Sequence, residues 1–300
     1  MTFEAASRLI AMVCTAVSVM AFTIDENLTN QTPIDYSDDL NDAARWSNVP
    51  GSFVAQGVRG LGEGLEFTVA SDFCTRLIPL FIDDPTCPQL RQSIQQGFDL
   101  WAEGHPNLEF VDVSERVRPK LPPPGASEPW RGYGSEIDIF ALSSEEYPRL
   151  GTLSASTQFW YLFADPIGTN GEVQSGNTLT SVDMVFNSSS CYHFDPALTG
   201  RGCNHFGSLL LHEIGHALSL DHPNDYRGRN FDSDRDPTNP MPIDCESPTK
   251  GLKLSPSIDT QSVMTSFPGK PRPVQTELSA DDLGGRNFLY PICSIGAAIP

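Results

Sequence analysis

Residues 212–222 read HEIGHALSLDH and contain three of the six histidines of this 300-residue chain. His212 and His216 are four residues apart, so a helix places both imidazoles on one face, where they can bind a divalent ion such as zinc. If the helix ends soon after His216 and the chain turns back, His222 supplies a third ligand and leaves a fourth position for water, as a catalytic zinc site requires. Glu213 then lies beside the metal and not on it.

The sequence around these histidines is too apolar for a helix on the protein surface. A helix of this kind is buried on most sides, and buried imidazoles and carboxylates need partners because an unpaired buried charge is very costly. A metal ion would partner all of these side chains at once. The apolar neighbours are Leu209, Leu210, Leu211, Ile214, Ala217 and Leu218.

Acidic residues outnumber basic ones by 38 to 19, which gives a formal net charge of -19. Nucleic acids and anionic membranes bind clusters of Lys and Arg, and the sequence contains no polybasic run. The charge pattern therefore argues against both as partners. The acidity itself favours solubility, and a preference for basic substrates or an acidic habitat is the alternative.

The N-terminus has the pattern of a secretory signal. Residues 9–22 form an apolar run behind Arg8, and Val19 and Ala21 are small enough for cleavage after residue 21. Fourteen apolar residues are too few for a comfortable membrane span. We expect a signal peptide over 1–21 and an extracellular protein, and an N-terminal core helix is the alternative.

The cysteines and glycosylation sequons also favour export. Six cysteines remain after residue 21, an even number that is typical of disulfides in a secreted protein. They allow 15 pairings, and short loops favour Cys74 with Cys87, Cys191 with Cys203, and Cys245 with Cys293. Sequons for N-linked glycans begin at Asn27, Asn30 and Asn187.

Hydrophobic periodicity predicts a mixture of strands and helices. Residues 89–103 carry Leu90, Ile94, Phe98 and Trp101 at helical spacing, so they are predicted to form an amphipathic helix against a sheet. A capping serine and two acidic residues predict a second helix over 279–290. The predicted strands are 65–70, 108–113, 136–141, 152–159 and 181–187.

These segments together resemble the metzincin metallopeptidases, and within them the matrixin catalytic domain. The likeness runs from about Trp46 to Cys293, and HEIGHALSLDH is its strongest element. The LRQSIQQGFDLW helix, the IDIFA and GTLSAS strands and the closing LSADDLGGRNFLYP follow in the family's order.

The resemblance implies an α+β sandwich of the α/β type. We expect a twisted, mostly parallel five-stranded sheet with an antiparallel edge strand, about three helices, the zinc helix at the floor of a cleft, and an irregular C-terminal subdomain. The expected domain covers 46–295, with an upper subdomain over 46–222 and a lower one over 223–295. Residues 22–45 would be a glycosylatable leader or short pro-segment.

The resemblance also implies roles for single residues. His212, His216 and His222 would bind one zinc ion, Glu213 would be the general base, and Met264 in SVMTSF would form the methionine turn beneath the metal. The rim of the cleft and the pocket beside the metal would bind substrate through Leu153, Ser154 and Phe267.

Three features depart from the family pattern. Ser219 stands where the family has a glycine at the end of the zinc helix, and a residue other than glycine in a left-handed conformation costs about 1 kcal/mol or more. The stretch ALSSEEYPRLGTLSASTQF lacks the histidines of the matrixin structural zinc, so we predict one zinc ion and not two. No cysteine-bearing latency motif precedes Trp46.

The sequence therefore predicts a secreted, monomeric zinc endopeptidase that acts on proteins or peptides. One alternative is an enzyme with a downstream glutamate, Glu246 or Glu277, as the third zinc ligand. Another is a non-catalytic secreted zinc-binding protein. Calcium is a further candidate ion because DSDRD at 232–236 resembles the start of a calcium loop, although Pro237 stands where that loop has glycine.

Overall fold

The computed structural model describes nine segments of the chain, which carry most of the predicted elements. The predicted signal peptide, Asn27, Asn30, the DSDRD loop apart from Asp232, and the pair Cys245 and Cys293 lie outside them. The described residues are 44–48, 60–121, 134–162, 177–198, 201–224, 231–232, 253–254, 261–267 and 270–290.

Within the described residues six strands form the main sheet, one more than the five predicted, because the two-residue β1 pairs with β6. The spatial order is β1, β6, β4, β2, β3, with β5 also paired to β6. All pairings are parallel except that of β5 with β6, which is antiparallel. This confirms the predicted α+β fold with a mostly parallel sheet and one antiparallel strand. The strands are β1 (Ala44–Arg45), β2 (Leu65–Val69), β3 (Phe110–Asp112), β4 (Ile137–Leu142), β5 (Ala155–Leu162) and β6 (Asn177–Asn187).

Four α-helices occur in the described segments. Three were predicted, and the short α1 was not. No described helix has both the length and the apolarity that a membrane crossing requires. The helices are α1 (Phe73–Leu77), α2 (Cys87–Ala102), α3 (Phe206–Ala217) and α4 (Ala280–Leu289), and the short strand pairs are β7 (Tyr192–His193) with β8 (Asn204–His205) and β9 (Phe231–Asp232) with β10 (Lys253–Leu254).

Helix α2 begins at a capping box, in which the backbone nitrogen of Thr86 donates to Oε1 of Gln89 at 2.8 Å. Its buried face carries the apolar residues that the sequence placed at helical spacing. Phe98 stacks on Phe67 of β2 with ring centroids 4.3 Å apart. The helix therefore packs onto the sheet through the predicted face.

Helices α2 and α3 approach closely at Gly97. A Cβ atom at Gly97 would lie 3.0 Å from Cδ1 of Ile214 and 3.1 Å from Cδ2 of Leu210. The small residue thus lets α3 lie against α2 within the main core. This contact fixes the helix that carries the histidine motif.

Two of the three favoured disulfides are present, and the third pair lies outside the described residues. Cys74–Cys87 connects α1 to the start of α2. Cys191–Cys203 encloses the loop that leads from β7 to β8, directly before α3. Both bonds close short loops, as the spacing indicated.

The sheet face opposite α2 contains a row of buried polar side chains. Strand register places Thr68, Asp138, Asp183 and Gln158 beside one another, and each is at most 4% exposed. Burial raises the pKa of Asp138 to about 6. Burial and then the charge of Asp138 raise the pKa of Asp183 well above its ordinary value.

Asn187, the third predicted sequon, is a structural residue in this fold. Its Nδ2 donates to the carbonyl oxygen of Leu153 at 2.8 Å, and its Oδ1 accepts from the backbone nitrogen of Ser189 at 2.9 Å. The side chain is buried. A glycan would be attached to this Nδ2, and the buried position leaves little room for one in the folded protein.

Candidate metal centre

Helix α3 carries the HEIGH part of the motif. It begins after His205, whose Nδ1 accepts from the backbone nitrogen of Ser208 at 3.1 Å. Along the helix, His212 and Glu213 are buried and His216 is partly buried. The apolar residues between them fill the core, as the sequence predicted.

The helix ends in a Schellman motif that turns the chain toward His222. The backbone nitrogen of Leu220 donates to the carbonyl of Gly215 at 2.9 Å, and that of Ser219 donates to the carbonyl of His216 at 2.7 Å. Ser219 has a φ of 73°, the left-handed conformation that favours glycine. Serine thus makes the turn that glycine makes in the family pattern.

The three histidines of the motif converge at one point. The Nε2 atoms of His212 and His216 are 3.0 Å apart, those of His216 and His222 are 3.1 Å apart, and those of His222 and His212 are 3.0 Å apart. Among the described residues, these three form the group that could hold a metal ion. The path through Ser219 therefore does bring the third imidazole to the other two.

In two of the imidazole rings, the hydrogen-bond partner of Nδ1 determines whether Nε2 carries a proton or a lone pair. Nδ1 of His212 lies 2.8 Å from the carbonyl oxygen of Val263, and Nδ1 of His216 lies 2.7 Å from that of Leu220. A carbonyl only accepts, so Nδ1 carries the proton in each ring and Nε2 of the neutral ring carries a lone pair. Burial lowers the pKa of His212 well below its ordinary value, which keeps that ring neutral.

Lone pairs that converge at about 3 Å repel one another unless a cation lies between them. Tetrahedral zinc with Zn–N distances of about 2.0–2.1 Å places its ligand nitrogens about 3.3 Å apart. The observed separations of 3.0–3.1 Å are close to that value. The three residues fit a zinc ion, with one coordination position left over.

Glu213 lies next to this centre and contacts β5. Its Oε2 accepts a hydrogen bond from Oγ1 of Thr157 at 2.7 Å, and only 3% of the residue is exposed. Burial raises the pKa of the carboxyl to about 7, against the opposing effects of the Thr157 hydrogen bond and the charge of Arg272. A carboxyl with a pKa near 7 can both accept and deliver a proton at neutral pH.

Met264 lies beneath the helix that carries the histidines. A Cβ atom at Gly215 would come within 2.3 Å of the Met264 sulfur and 2.9 Å of Trp101, so the sulfur occupies the space that the glycine leaves. The preceding residue, Val263, provides the carbonyl that orients His212. The turn thus contacts both the helix that carries the histidines, at Gly215, and one of the three imidazoles, that of His212.

Asp282 at the start of α4 holds this turn. Its carboxylate accepts from Oγ of Ser262 at 2.6 Å and from the backbone nitrogens of Val263 at 3.0 Å and Met264 at 3.3 Å. It also accepts from the backbone nitrogen of Ser279 at 2.8 Å, which caps α4. One buried carboxylate therefore joins the turn to the C-terminal helix.

Trp46 and Tyr290 fix the end of α3. Nε1 of Trp46 donates to the carbonyl of Ala217 at 2.9 Å, and the Tyr290 hydroxyl donates to the carbonyl of Leu218 at 3.0 Å. These are the last carbonyls of the helix, which have no partner inside it. The two ends of the described chain thus meet at the helix that carries the histidine motif.

The residues predicted to bind substrate lie in two places. Leu153 and Ser154 directly precede β5, which begins three residues later than predicted for its segment, and Leu153 is 54% exposed. The carbonyl of Ser154 accepts from Tyr192 and Asn187 and is therefore occupied within the fold. Phe267 lies after the methionine turn, with its ring centroid 5.5 Å from Cζ of Arg272.

The alternative third ligands do not join the histidines within the described residues. Glu277 is exposed and outside the metal-binding group, and Glu246 lies outside the described residues. The third member of that group is His222. Its backbone nitrogen donates to Oδ1 of the buried Asp221 at 2.7 Å.

Three residues around the centre were not predicted as site residues from the sequence: Thr157, Arg272 and Asp282. Each reaches the centre from a segment far along the chain, for example across 56 residues between Thr157 and Glu213. Only Asp282 has a local signal, because it belongs to the acidic pair behind the capping Ser279. The contacts of the other two depend on tertiary packing.

Comparisons with known proteins provide little independent information. No model of a known protein family matches the sequence, and no curated protein matches it. Among solved structures, one similar chain is High choriolytic enzyme 1, a hatching enzyme zinc-protease from Oryzias latipes (medaka fish). The two are 13% identical, with 75% of this chain and 88% of that chain covered, at a TM-score of 0.29.

Proposed function

We propose that the protein is a secreted zinc endopeptidase of the metzincin type, with a matrixin-like arrangement, that hydrolyses peptide bonds in proteins. The observation that carries the proposal is the convergence of three imidazole Nε2 atoms within 3.1 Å, with Glu213 beside them. In this proposal His212, His216 and His222 hold one zinc ion, and Met264 lies beneath it.

When bound, zinc would polarise the carbonyl of the scissile bond and make a nearby water molecule more acidic. Glu213 accepts the proton of that water and delivers it to the amine of the leaving product. Thr157 orients the carboxylate through its 2.7 Å hydrogen bond. A structural zinc site has four protein ligands and no use for a base, so the buried Glu213 supports catalysis.

The substrate would lie along β5 as an extended strand. β5 pairs with β6 along one edge, and the described residues include no strand on its other edge. A peptide can add there through its backbone groups, antiparallel to β5. The exposed Leu153 and the neighbouring Ser154 would contact the peptide at one end of this edge, and Phe267 would line the pocket beside the metal.

Export is part of the proposal. The apolar run at 9–22, the even set of cysteines and the two disulfides support an extracellular location. We expect cleavage after residue 21 and a monomeric catalytic domain. Residues 22–45 would be a glycosylatable leader or short pro-segment, except that Ala44 and Arg45 belong to β1 of the main sheet. Calcium in the 232–243 loop stays a secondary expectation.

Metal analysis combined with a casein assay tests this function. We expect about one zinc ion per chain and cleavage by the wild type. Glu213→Gln should retain zinc and lose at least about 100-fold in activity, since general acid–base catalysis contributes roughly 10²–10⁴-fold. Glu277→Gln removes the same charge from an exposed position and should change neither quantity.

His222→Ala distinguishes the alternatives. We expect it to lose zinc and activity together because two imidazoles alone hold the ion weakly. A His222→Ala protein that keeps both zinc and activity would favour an enzyme with a glutamate as third ligand. A wild type with full zinc and no cleavage would contradict the proposed function and favour a non-catalytic zinc-binding protein.

A further inference from the structure

Arg272 places a positive charge beside the candidate metal centre. Its Nη1 donates to the carbonyl oxygens of Val263 at 2.5 Å and Thr265 at 2.9 Å. The Val263 carbonyl also accepts from Nδ1 of His212. A single carbonyl oxygen therefore links the guanidinium to one of the three imidazoles.

This cation has no counter-charge in direct contact. Among the residues that the structure describes, no carboxylate forms an ion pair with Arg272. The acidic groups whose charges act on it are Glu213 and Asp282. Glu213 is hydrogen-bonded to Thr157, and Asp282 binds the methionine turn and the start of α4.

The guanidinium also has unused hydrogen-bonding capacity. Both described hydrogen bonds of Arg272 come from Nη1. Burial lowers its pKa to about 10, so the group stays charged at neutral pH. A largely buried cation without an ion pair is costly. The planar fork of arginine matches a carboxylate in two parallel hydrogen bonds.

The surroundings of Arg272 hold it in place. Pro271 and Pro273 flank it, which restricts the backbone on both sides because proline fixes its own φ and limits the residue before it. The guanidinium lies over the ring of Phe267, with Cζ 5.5 Å from the centroid. The site is therefore arranged before any ligand binds.

We propose that Arg272 is a specificity-determining residue that binds the carboxylate of an Asp or Glu side chain adjacent to the scissile bond of the substrate. This inference rests on the proposed function, because it assigns the substrate class of the same site. A net charge of -19 repels acidic peptides from the molecule as a whole. A cation at the site itself would counter that repulsion where the peptide is cleaved.

A matched pair of peptides tests the proposal. The zinc-loaded wild type is first used with a peptide library to locate the cleaved bond, and two peptides that differ only by Glu or Gln beside it are then compared. We expect kcat/KM to favour the Glu peptide by about 10- to 100-fold, the range for a hydrogen bond to a charged group. The preference should shrink as salt increases.

Variants of Arg272 separate recognition from structural support. Arg272→Met should abolish the preference, so that the ratio of kcat/KM for the Glu peptide to kcat/KM for the Gln peptide falls to about 1 whatever loss the two peptides share, and Arg272→Lys should keep part of the preference. Arg118→Met removes the same charge from an exposed position and should keep the full preference. An equal loss on both peptides in Arg272→Met, without loss of preference, would show that Arg272 only supports the turn and would overturn the proposal.

A binding measurement gives a readout without turnover. In zinc-loaded Glu213→Gln protein, fluorescence anisotropy should show tighter binding of the Glu peptide, and adding Arg272→Met should remove the difference. Equal binding of the two peptides before that second change would contradict the proposal. Cleavage of the library without an acidic preference would contradict this inference alone, whereas no cleavage at all would contradict the proposed function and the inference with it.

Discussion

The convergence of three imidazoles on one point depends on single residues in HEIGHALSLDH. The four-residue spacing of His212 and His216 sets their common face through helix geometry alone. The position of His222 depends on the turn at Ser219, and the turn forms despite the missing glycine. Thr157 and Arg272 could not be predicted, because their contacts exist only after distant segments pack together.

The left-handed conformation of Ser219 gives a prediction at this scale. Ser219→Gly should increase the free energy of unfolding by about 0.5–1 kcal/mol, because glycine adopts a positive φ without the steric penalty of a Cβ atom. Denaturant unfolding of the zinc-loaded protein measures the change. Ser219→Ala is the control and should give no gain, since alanine keeps the Cβ atom. A destabilised Ser219→Gly variant would mean that the serine side chain supports the turn.

At the level of strands and helices, the periodicity of the sequence predicted the type of each element better than its first and last residues. Helix α2 spans 87–102 against a predicted 89–103, and α4 spans 280–289 against 279–290. Strand β6 begins at Asn177, four residues before the predicted start, because its pairing with β1 and β5 extends it. Strand β1 has only two residues, and its pairing with β6 is not encoded in local periodicity.

The neighbouring strands β4 and β6 carry the buried pair Asp138 and Asp183, which makes stability depend on pH. Both folded-state pKa values are raised, that of Asp138 to about 6, so the folded protein binds more protons than the unfolded chain. Their contribution to stability is therefore complete below about pH 4 and is lost as the pH rises through about 6. The cause is burial, together with the repulsion between the two charges.

Asp183→Asn should remove the part of this loss that Asp183 causes. The variant should exceed the wild type by roughly 1–3 kcal/mol in free energy of unfolding at pH 8, and the difference should shrink toward pH 4. Asp99→Asn, on the exposed face of α2, is the control and should show no such pH-dependent gain. Denaturant unfolding between pH 4 and 8 measures both. A difference that stays constant across this range would rule out the raised pKa values as the cause.

For the whole molecule, long-range contacts bring the two ends of the described chain to the same place. Trp46 and Tyr290 both bind the last carbonyls of α3, and Nε2 of His105 at the end of α2 lies 2.7 Å from the Tyr290 carbonyl. Both ends of the described chain contact α3, as do the main sheet and the methionine turn. Zinc binding should therefore stabilise the entire domain. The sequence could predict the fold class. The meeting of the two ends of the described chain could not be predicted, because it depends on contacts across more than 170 residues.

X-ray absorption spectroscopy at the zinc edge, on purified protein loaded with zinc, tests the central claim most directly. We predict one zinc ion per chain, bound by three imidazoles and one further oxygen or nitrogen donor at about 2.0–2.1 Å, with no sulfur ligand. Loss of one imidazole from the spectrum of His222→Ala would assign the third ligand. A wild-type spectrum with fewer than three imidazoles, or with sulfur at about 2.3 Å, would contradict the account.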